Sequence, residues 1–203
     1  MTRKLDGQTL LFATHNSGKL EEMAQLLSPM GVQVVSAADM SLPEPEETED
    51  TFVGNARIKA HAAARLTGMV AMSDDSGLCV DSLDGAPGVY TADWAEAPGG
   101  RDFLKAMTRT HRELSERGAA EPWRASFRCV LVLAWPDGHD EVFEGAAHGR
   151  LIWPIRGALG HGYDPMFVPD FETQSFAEMD AHRKNALSHR AKALKSLVDA
   201  CFT

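Results

Sequence analysis

Two adjacent acidic residues interrupt an apolar stretch near the middle of the chain. Asp74-Asp75-Ser76-Gly77 lies between Met69-Val70-Ala71-Met72 and Leu78-Cys79-Val80. The apolar flanks are typical of short buried strands, so the acids fall where a fold usually places Val or Ile. An unpaired buried carboxylate is costly, and chains tend to keep one where it holds a metal or performs chemistry. Because neighbouring strand side chains point in different directions, we expect one Asp to face a cleft and the other to serve the scaffold.

The N-terminal segments predict an α/β fold. An apolar strand over residues 9–13 is followed by a polar turn and a helix from Lys19, which Pro29 and Gly31 end. A second apolar strand covers residues 32–35. This β-loop-α-β order favours a parallel pair of strands.

The remaining elements continue the α/β pattern without a linker that would separate independent domains. We therefore expect one domain over residues 1–203, with a β-rich second lobe on the same sheet. The predicted elements are an acidic loop over 39–50, a helix from about Thr51 to Gly68 with Phe52, Ala56, Ala63 and Leu66 on one face, a helix over Arg101–Arg117, a hairpin of Ser126–Trp135 and His139–His148 around Pro136-Asp137-Gly138, a glycine-rich loop over 157–165, and a last helix from about Lys184 to Cys201.

Composition excludes some classes of function. The 203 residues are 44% hydrophobic and 24% charged, with a net charge of −9 that argues against a general nucleic-acid binder. Cys79, Cys129 and Cys201 show no CxxC spacing and are typical of buried free thiols in a reducing compartment. No apolar run approaches the roughly 20 residues of a membrane span, and residues 1–7 lead into no signal-peptide core. We expect a cytoplasmic protein with no membrane partner.

A polar loop between the first strand and the first helix is a candidate phosphate site. Thr14-His15-Asn16-Ser17-Gly18-Lys19 combines hydroxyls, a glycine and a lysine where helix N–H groups carry partial positive charge. The spacing of a Walker A loop is absent, and an ordinary capped loop is the alternative.

The acidic loop offers metal ligands. Its usual explanation is a solvated surface, but Asp75 would need a second carboxylate nearby if it held Mg²⁺. Glu46 and Glu47, just before a helix, are both candidates, and the pattern does not choose between them. Asn55 and Lys59 are four residues apart, so they share a helix face that points either into the same cleft or to solvent.

Two further segments are candidates for contact with a nucleotide. Gly160-His161-Gly162-Tyr163-Asp164-Pro165 allows close approach of the backbone and offers rings for stacking, although a tight connection is the alternative. Lys184 and Ser188-His189-Arg190 bring cationic groups to the start of the last helix, where a polar helix face is the alternative. A phosphate loop, an acidic metal site, a stacking loop and a basic helix start together describe a nucleoside triphosphate with Mg²⁺.

The same motifs resemble those of the inosine triphosphate pyrophosphatases, also called non-canonical purine NTP pyrophosphatases. They occur in family order and span about residues 10 to 198. The matching stretches are Ala13 to Lys19, Glu47-Thr48 through Phe52 with Asn55-Ala56, Ser73 to Leu78, Gly85-Ala86-Pro87-Gly88-Val89-Tyr90, Gly162-Tyr163-Asp164-Pro165 and Ser188-His189-Arg190.

The resemblance implies hydrolysis of ITP, dITP and XTP to the monophosphate and pyrophosphate with Mg²⁺, which cleanses the nucleotide pool. It also implies an elongated mixed β-sheet flanked by helices, two lobes with a central cleft, and a homodimer. It makes Asp75 the catalytic base and a metal ligand, assisted by Glu46 or Glu47. The substrate-binding residues that it implies are Thr14, His15, Asn16, Ser17, Gly18, Lys19, Lys59, Ser76, His161, Gly162, Tyr163, Asp164, Lys184, His189 and Arg190.

Two departures and three rival functions accompany this resemblance. His161 replaces a Phe that commonly stacks on the purine, although an imidazole can still stack. The stretch after Tyr90, often basic in the family, reads Thr91-Ala92-Asp93-Trp94.

The rival functions are three. They are a pyrophosphatase for a modified pyrimidine, as in a similarly folded septum-inhibitor family, a nucleotide-binding regulator without turnover, and a nucleic-acid binder. Asp74 and Asp75 count against the regulator, because binding without turnover needs no catalytic base. The net charge of −9 counts against the nucleic-acid binder.

Overall fold

The computed structural model describes residues 2–5 and 9–202. The predicted domain of residues 1–203 also includes residues 1, 6–8 and 203, which lie outside the described residues, and it stays a prediction. The helices are α1 (Ser17–Leu27), α2 (Phe52–Thr67), α3 (Phe103–Glu116), α4 (Ala181–Leu187) and α5 (His189–Cys201). The strands are β1 (Thr9–Phe12), β2 (Gln33–Ser36), β3 (Ala71–Val80), β4 (Glu96–Ala97), β5 (Gly100–Arg101), β6 (Trp123–Ala134), β7 (Asp140–Leu151) and β8 (Phe167–Pro169).

Six strands form one mixed sheet in the order β2-β1-β3-β6-β7-β8. Strand β1 is parallel to both β2 and β3, whereas β7 and β8 are antiparallel. The predicted hairpin is confirmed between β6 and β7, where the Trp135 amide donates to the His139 carbonyl at 2.9 Å. This sheet and its helices confirm the predicted α/β class. Within the described residues, no helix is both long enough and apolar enough to cross a bilayer.

The described residues form two compact units, of which the first comprises those up to Asp75, 129–144 and from Ala193 onward. Alternating strand residues build its core on both faces of the sheet. Leu10, Phe12 and Met72 pack with apolar side chains of α1 and α5. Leu11 belongs to a second cluster with the small side chains of α2, which are mostly Ala. Strands buried on both faces are what the apolar runs predict.

The second unit comprises residues 76–128 and 145–192 and has an aromatic core. The Phe127 ring lies 4.8 Å from Phe167 and 6.0 Å from Phe176, measured between centroids. Tyr163 belongs to the same cluster and meets Phe103 of α3 edge-on at 5.9 Å. This cluster fixes the segments that carry the predicted nucleotide contacts of the unit.

The structure corrects two predicted elements. The two short strands expected on either side of the acidic pair are one continuous strand, β3. The last helix, predicted from about Lys184 to Cys201, is two helices, α4 and α5, separated at Ser188. Ser188 is extended (φ −69°, ψ 151°), and its Oγ accepts a hydrogen bond from the Ala191 amide at 3.1 Å. A serine in this position caps a new helix, which is why the chain turns here.

Candidate active site

The alternation of β3 sends its two acids to opposite faces of the strand. Asp74, only 2% exposed, faces the α1 side, where Lys19 Nζ lies 2.9 Å from its Oδ2. Asp75 shares a face with Ser73, whose Oγ donates to the Ala56 carbonyl of α2 at 2.5 Å. Each acid therefore faces a different helix. Both acids are buried and interact with lysines, and the expectation that one faces a cleft while the other serves the scaffold stays a prediction.

Lys59 of α2 is only 8% exposed and contacts the carboxylate of Glu47. Burial is the largest single influence and lowers the pKa of the ammonium group, but the negative charges of Asp74, Asp75 and Glu47 outweigh it and raise the pKa. Lys59 therefore keeps its positive charge inside the first unit. The alternative of a solvent-facing lysine is wrong.

Asp75 is 6% exposed, and burial raises its pKa to about 6. The charges of Lys59 and Lys19 oppose this rise, while those of Glu47 and Asp74 add to it. A carboxylate with this pKa is mostly ionised at pH 7 and is a far better proton acceptor than an ordinary aspartate. Its environment is that of a general base.

The loop between β1 and α1 is held by its own side chains. Asn16 caps α1, since its Oδ1 accepts from the Lys19 amide at 3.1 Å, and its own amide donates to Thr14 Oγ1 at 3.2 Å. Ser17 and Gly18 form the first turn, where the partial positive charge of a helix favours an anion. The ammonium group of Lys19 is already paired with Asp74, so a bound phosphate would have to share it.

The structure distinguishes the two glutamates that the sequence left open. Both glutamates are exposed, but Glu47 contacts Lys59, and its charge acts on Asp75. Two groups of α2 hold the segment just after Glu47. Asn55 Oδ1 accepts from the Glu49 amide at 3.0 Å. Gly54 lets Glu49 approach α2 closely, since a Cβ at this position would lie 2.5 Å from Glu49 Cβ.

The carboxylates of Asp75 and Glu47 suit a hard divalent cation. The charge of Glu47 helps to raise the pKa of Asp75, and a bound cation would relieve this repulsion. No group of three or more potential metal-ligating His, Cys, Asp or Glu side chains occurs among the residues that the structure describes. One or two carboxylates are nevertheless what Mg²⁺ takes from a protein when substrate phosphates and waters complete its octahedron. The residues present fit this ion.

In the second unit, Asp164 organises the glycine-rich loop. Its Oδ2 accepts from the His161 amide at 2.7 Å and from Lys184 Nζ at 2.6 Å. Gly160 has φ of +74°, and a Cβ there would lie 2.2 Å from the same Oδ2, so only glycine fits. His161 is exposed, while Tyr163 is 1% exposed and lies in the core. The loop thus presents His161 to solvent and uses Tyr163 as its anchor.

The start of α5 brings two more predicted residues onto this unit. The His189 ring stacks on Phe127 at 5.1 Å with 14° between the planes. Arg190 is buried, and its Nη2 donates to Ser76 Oγ at 3.3 Å. Packing therefore fixes the orientation of both side chains.

The sequence assigned no site role to three side chains that the structure places against predicted site residues. Asp74 pairs with Lys19, Asn55 holds the acidic segment, and Phe127 supports His189. Asp74 and Asn55 carried a usable signal, because one neighbours Asp75 and the other is one helical turn before Lys59. Phe127 carried none, since an apolar strand residue is ordinary core. The predicted roles in binding substrate and metal stay predictions.

Comparison with known proteins places this geometry in a family. Residues 10–200 match the sequence model of the Ham1 family. A dITP/XTP pyrophosphatase of Ruegeria pomeroyi is 70% identical over 202 residues, covering 100% of this chain and 99% of the relative. A dITP/XTP pyrophosphatase of Zymomonas mobilis is 55% identical over 200 residues, covering 98% and 95%.

A solved structure agrees with these sequence relatives. The HAM1 protein from Coxiella burnetii has a TM-score of 0.87 at 34% identity, covering 95% of this chain and 98% of that one. The family match, the high identity of the relatives and the shared fold confirm the predicted resemblance, and the chain belongs to the Ham1 family.

Proposed function

We propose that this protein hydrolyses dITP, XTP and ITP to the nucleoside monophosphate and pyrophosphate, and so removes these nucleotides from the cellular pool. The names of its relatives support the activity, since proteins 70% and 55% identical to it are dITP/XTP pyrophosphatases. The observation that carries the chemistry is the burial of Asp75 beside Lys59, with a pKa raised to about 6.

In the proposed reaction Asp75 accepts a proton from a water molecule as the water oxygen attacks the α-phosphorus. The bond from the α-phosphorus to the oxygen that bridges it to the β-phosphate breaks, and pyrophosphate leaves. The monophosphate keeps the oxygen of the water. The positive charges of Lys59 and Lys19 offset the negative charge that grows on the leaving group.

Mg²⁺ is the proposed cofactor, and the carboxylates of Asp75 and Glu47 would hold it. Glu47 is a stronger candidate than Glu46, because Glu47 contacts Lys59 and its charge acts on Asp75. When bound, the ion supplies positive charge that neutralises the phosphate oxygens. The family match supports a metal requirement, and the oxygen-rich donor set supports magnesium.

The proposed substrate-binding residues of the first unit lie mostly in the capped loop before α1, and those of the second unit lie in its polar segments. The first turn of α1 suits the phosphates because its N–H groups carry partial positive charge. The residues proposed to bind substrate are Thr14, His15, Asn16, Ser17, Gly18, Lys19, Lys59, Ser76, His161, Gly162, Tyr163, Asp164, Lys184, His189 and Arg190.

Selection of the base is proposed to rest on donors that meet a purine 6-oxygen, with Arg190 among them. Adenine presents an amino group at this position, so a donor of the site would lose its acceptor. Leaving such a buried group unmatched costs about 1–3 kcal/mol, which disfavours ATP. Packing around Arg190 supports this role, because a buried guanidinium cannot turn away to solvent.

We further propose that the protein is a cytoplasmic homodimer with no nucleic-acid or membrane partner. The net charge of −9 supports the exclusion of nucleic acid, because a general binder needs a basic face. The free thiols of Cys79, Cys129 and Cys201 support a reducing compartment.

The test is release of pyrophosphate from dITP, XTP, ITP, ATP and GTP, with and without Mg²⁺, by the wild type and Asp75→Asn. We expect Mg²⁺-dependent release from the first three far above ATP, with turnover of the variant lower by about 10²–10⁴. Equal turnover of ATP would contradict the substrate assignment, and an active Asp75→Asn would contradict the assignment of the base.

A further inference from the structure

His15 makes a contact that its predicted role in binding substrate does not use. Its Nε2 lies 2.9 Å from the carbonyl oxygen of Leu42, which follows β2. A carbonyl only accepts hydrogen bonds, so Nε2 carries the proton and donates it. His15 therefore ties the loop before α1 to the start of the acidic segment, which we define as residues 42–49.

The acidic segment depends on such ties because it has no regular secondary structure. At its start the Leu42 amide donates to the Ala37 carbonyl at 2.9 Å, and the Leu42 carbonyl accepts from His15. At its end the Glu49 amide donates to Asn55 Oδ1. Glu47 lies between these two fixed ends and contacts Lys59. A short chain held at both ends has few conformations available to it, so its middle is positioned as well.

Packing beneath the segment reinforces this arrangement. A cavity of about 10 Å³ is lined by His15, Lys59 and apolar side chains of α2, together with Leu42 and Pro45. Residues of the segment and of α2 line the same cavity, so the segment lies against this helix. Loss of the hydrogen bond from His15 would leave the start of the segment held only by the Leu42 amide and by apolar packing on α2.

We propose that His15 is a positioning residue that fixes the acidic segment, and through it the carboxylate of Glu47, for binding the divalent cation. The inference rests on the proposed function and gives a role to the imidazole that contact with substrate would not require. Its effect reaches the reaction through Glu47, because the ring nitrogen is already engaged with the Leu42 carbonyl.

The test compares three substitutions of His15. Gln can place its Nε2 amide near the position of the imidazole Nε2, whereas the shorter Asn cannot reach that far, and Ala removes the donor altogether. His148→Ala is the matched control, since it removes an exposed imidazole from the other unit. Two quantities are measured for each protein. They are the Mg²⁺ concentration for half-maximal hydrolysis of dITP and the hydrogen-exchange rates of the hydrogen-bonded amides of Leu42 and Glu49 in the metal-free protein.

We expect His15→Ala and His15→Asn to raise the half-activating Mg²⁺ concentration about tenfold, the usual effect of losing a group that orients a metal ligand. We expect faster exchange of the Leu42 and Glu49 amides in both variants, because both depend on a fixed segment. His15→Gln should lie closer to the wild type than His15→Asn in both measurements, and His148→Ala should leave both unchanged. A higher KM for dITP with unchanged Mg²⁺ dependence and unchanged exchange would overturn the proposal in favour of direct contact with substrate.

Exchange also separates this proposal from the proposed function. If the wild type hydrolyses none of the nucleotides, the proposed activity fails, and the exchange rates alone decide whether His15 holds the segment. Unchanged exchange in His15→Ala would then overturn the positioning role as well.

Discussion

Lys59 and Asp75 are both buried, and each favours the charged form of the other. The lysine opposes the rise in the pKa of Asp75 that burial causes, and Asp75 helps to raise the pKa of Lys59. The pair keeps a charged acid and a charged base in the interior at neutral pH. Substitution of the neighbouring charged residues tests how much each of them contributes to the two pKa values.

Asp75→Asn should make the protein more stable at neutral pH while it removes activity. A carboxyl with its pKa raised from 3.8 to about 6 is harder to ionise in the folded state, so its ionisation destabilises the fold above pH 6. The variant avoids this cost, and we expect a gain of about 1–3 kcal/mol at pH 7. The gain should shrink as pH falls from 6 to 4. Urea unfolding at several pH values measures it, and a variant less stable than the wild type at pH 7 would contradict the prediction.

Substitution of the neighbours should move the pKa of Asp75 in opposite directions. Glu47→Gln removes a negative charge that raises this pKa, so the titration midpoint should fall below that of the wild type. Lys59→Met removes a positive charge that lowers it, so the midpoint should rise. Carbon-13 NMR of the Asp75 carboxyl in metal-free protein measures both. Shifts of the same sign in the two variants would show that Glu47 and Lys59 do not act on the pKa of Asp75 in opposite directions.

The ion pair of Lys19 and Asp74 should contribute to stability through the burial of the acid. Lys19→Met leaves the Asp74 carboxylate in the interior without this cation, and we expect a loss of about 1–3 kcal/mol, since one partner is partly exposed. The double variant Lys19→Met/Asp74→Asn should lose less than the single lysine variant, because no buried charge remains at this position.

An exposed pair of the same chemistry serves as the control for that experiment. Lys195 and Asp199 lie four residues apart on α5, with both side chains well exposed. Lys195→Met should change the free energy of unfolding by less than about 0.5 kcal/mol. A loss as large as that of Lys19→Met would mean that burial does not decide the strength of these pairs.

Asp140→Asn should destabilise the protein only above acidic pH. Burial raises the pKa of Asp140, but hydrogen bonds from Arg57 and His61 outweigh it and lower the pKa below 3.8. A lowered pKa means that the ionised form stabilises the fold above the unfolded pKa, and that this is lost as pH falls through the folded value. We expect a cost of about 1 kcal/mol at pH 7, shrinking below pH 4. A cost independent of pH in thermal unfolding would contradict this.

Local signals in the sequence predicted helix ends well. The helix expected from about Thr51 to Gly68 is α2, Phe52–Thr67. Thr51 caps it by accepting from the Gly54 amide, and Gly68 ends it with φ of +68°. Both residues act on the backbone within one turn, so their effect can be recognised without the rest of the fold.

Which side chains of α2 are buried could not be predicted from such local signals. Leu66, expected on its inward face, is 61% exposed, whereas Lys59 is buried. What surrounds each position comes from distant parts of the chain, such as Glu47 and the middle of β3 for Lys59. The choice between Glu46 and Glu47 was undecidable for the same reason, since two neighbouring loop residues differ only in what they meet.

The alternation of side chains along β3 also limits which insertions and deletions this part of the gene tolerates. Strand β3 pairs with β1 in a fixed register, with Leu11 opposite Ala71 and Phe12 opposite Met72. A deletion of one codon just before the strand would move every side chain to the other face, exchanging the surroundings of Asp74 and Asp75. Substitutions can therefore accumulate in the preceding turn, while a change in its length would inactivate the protein with both aspartates still encoded.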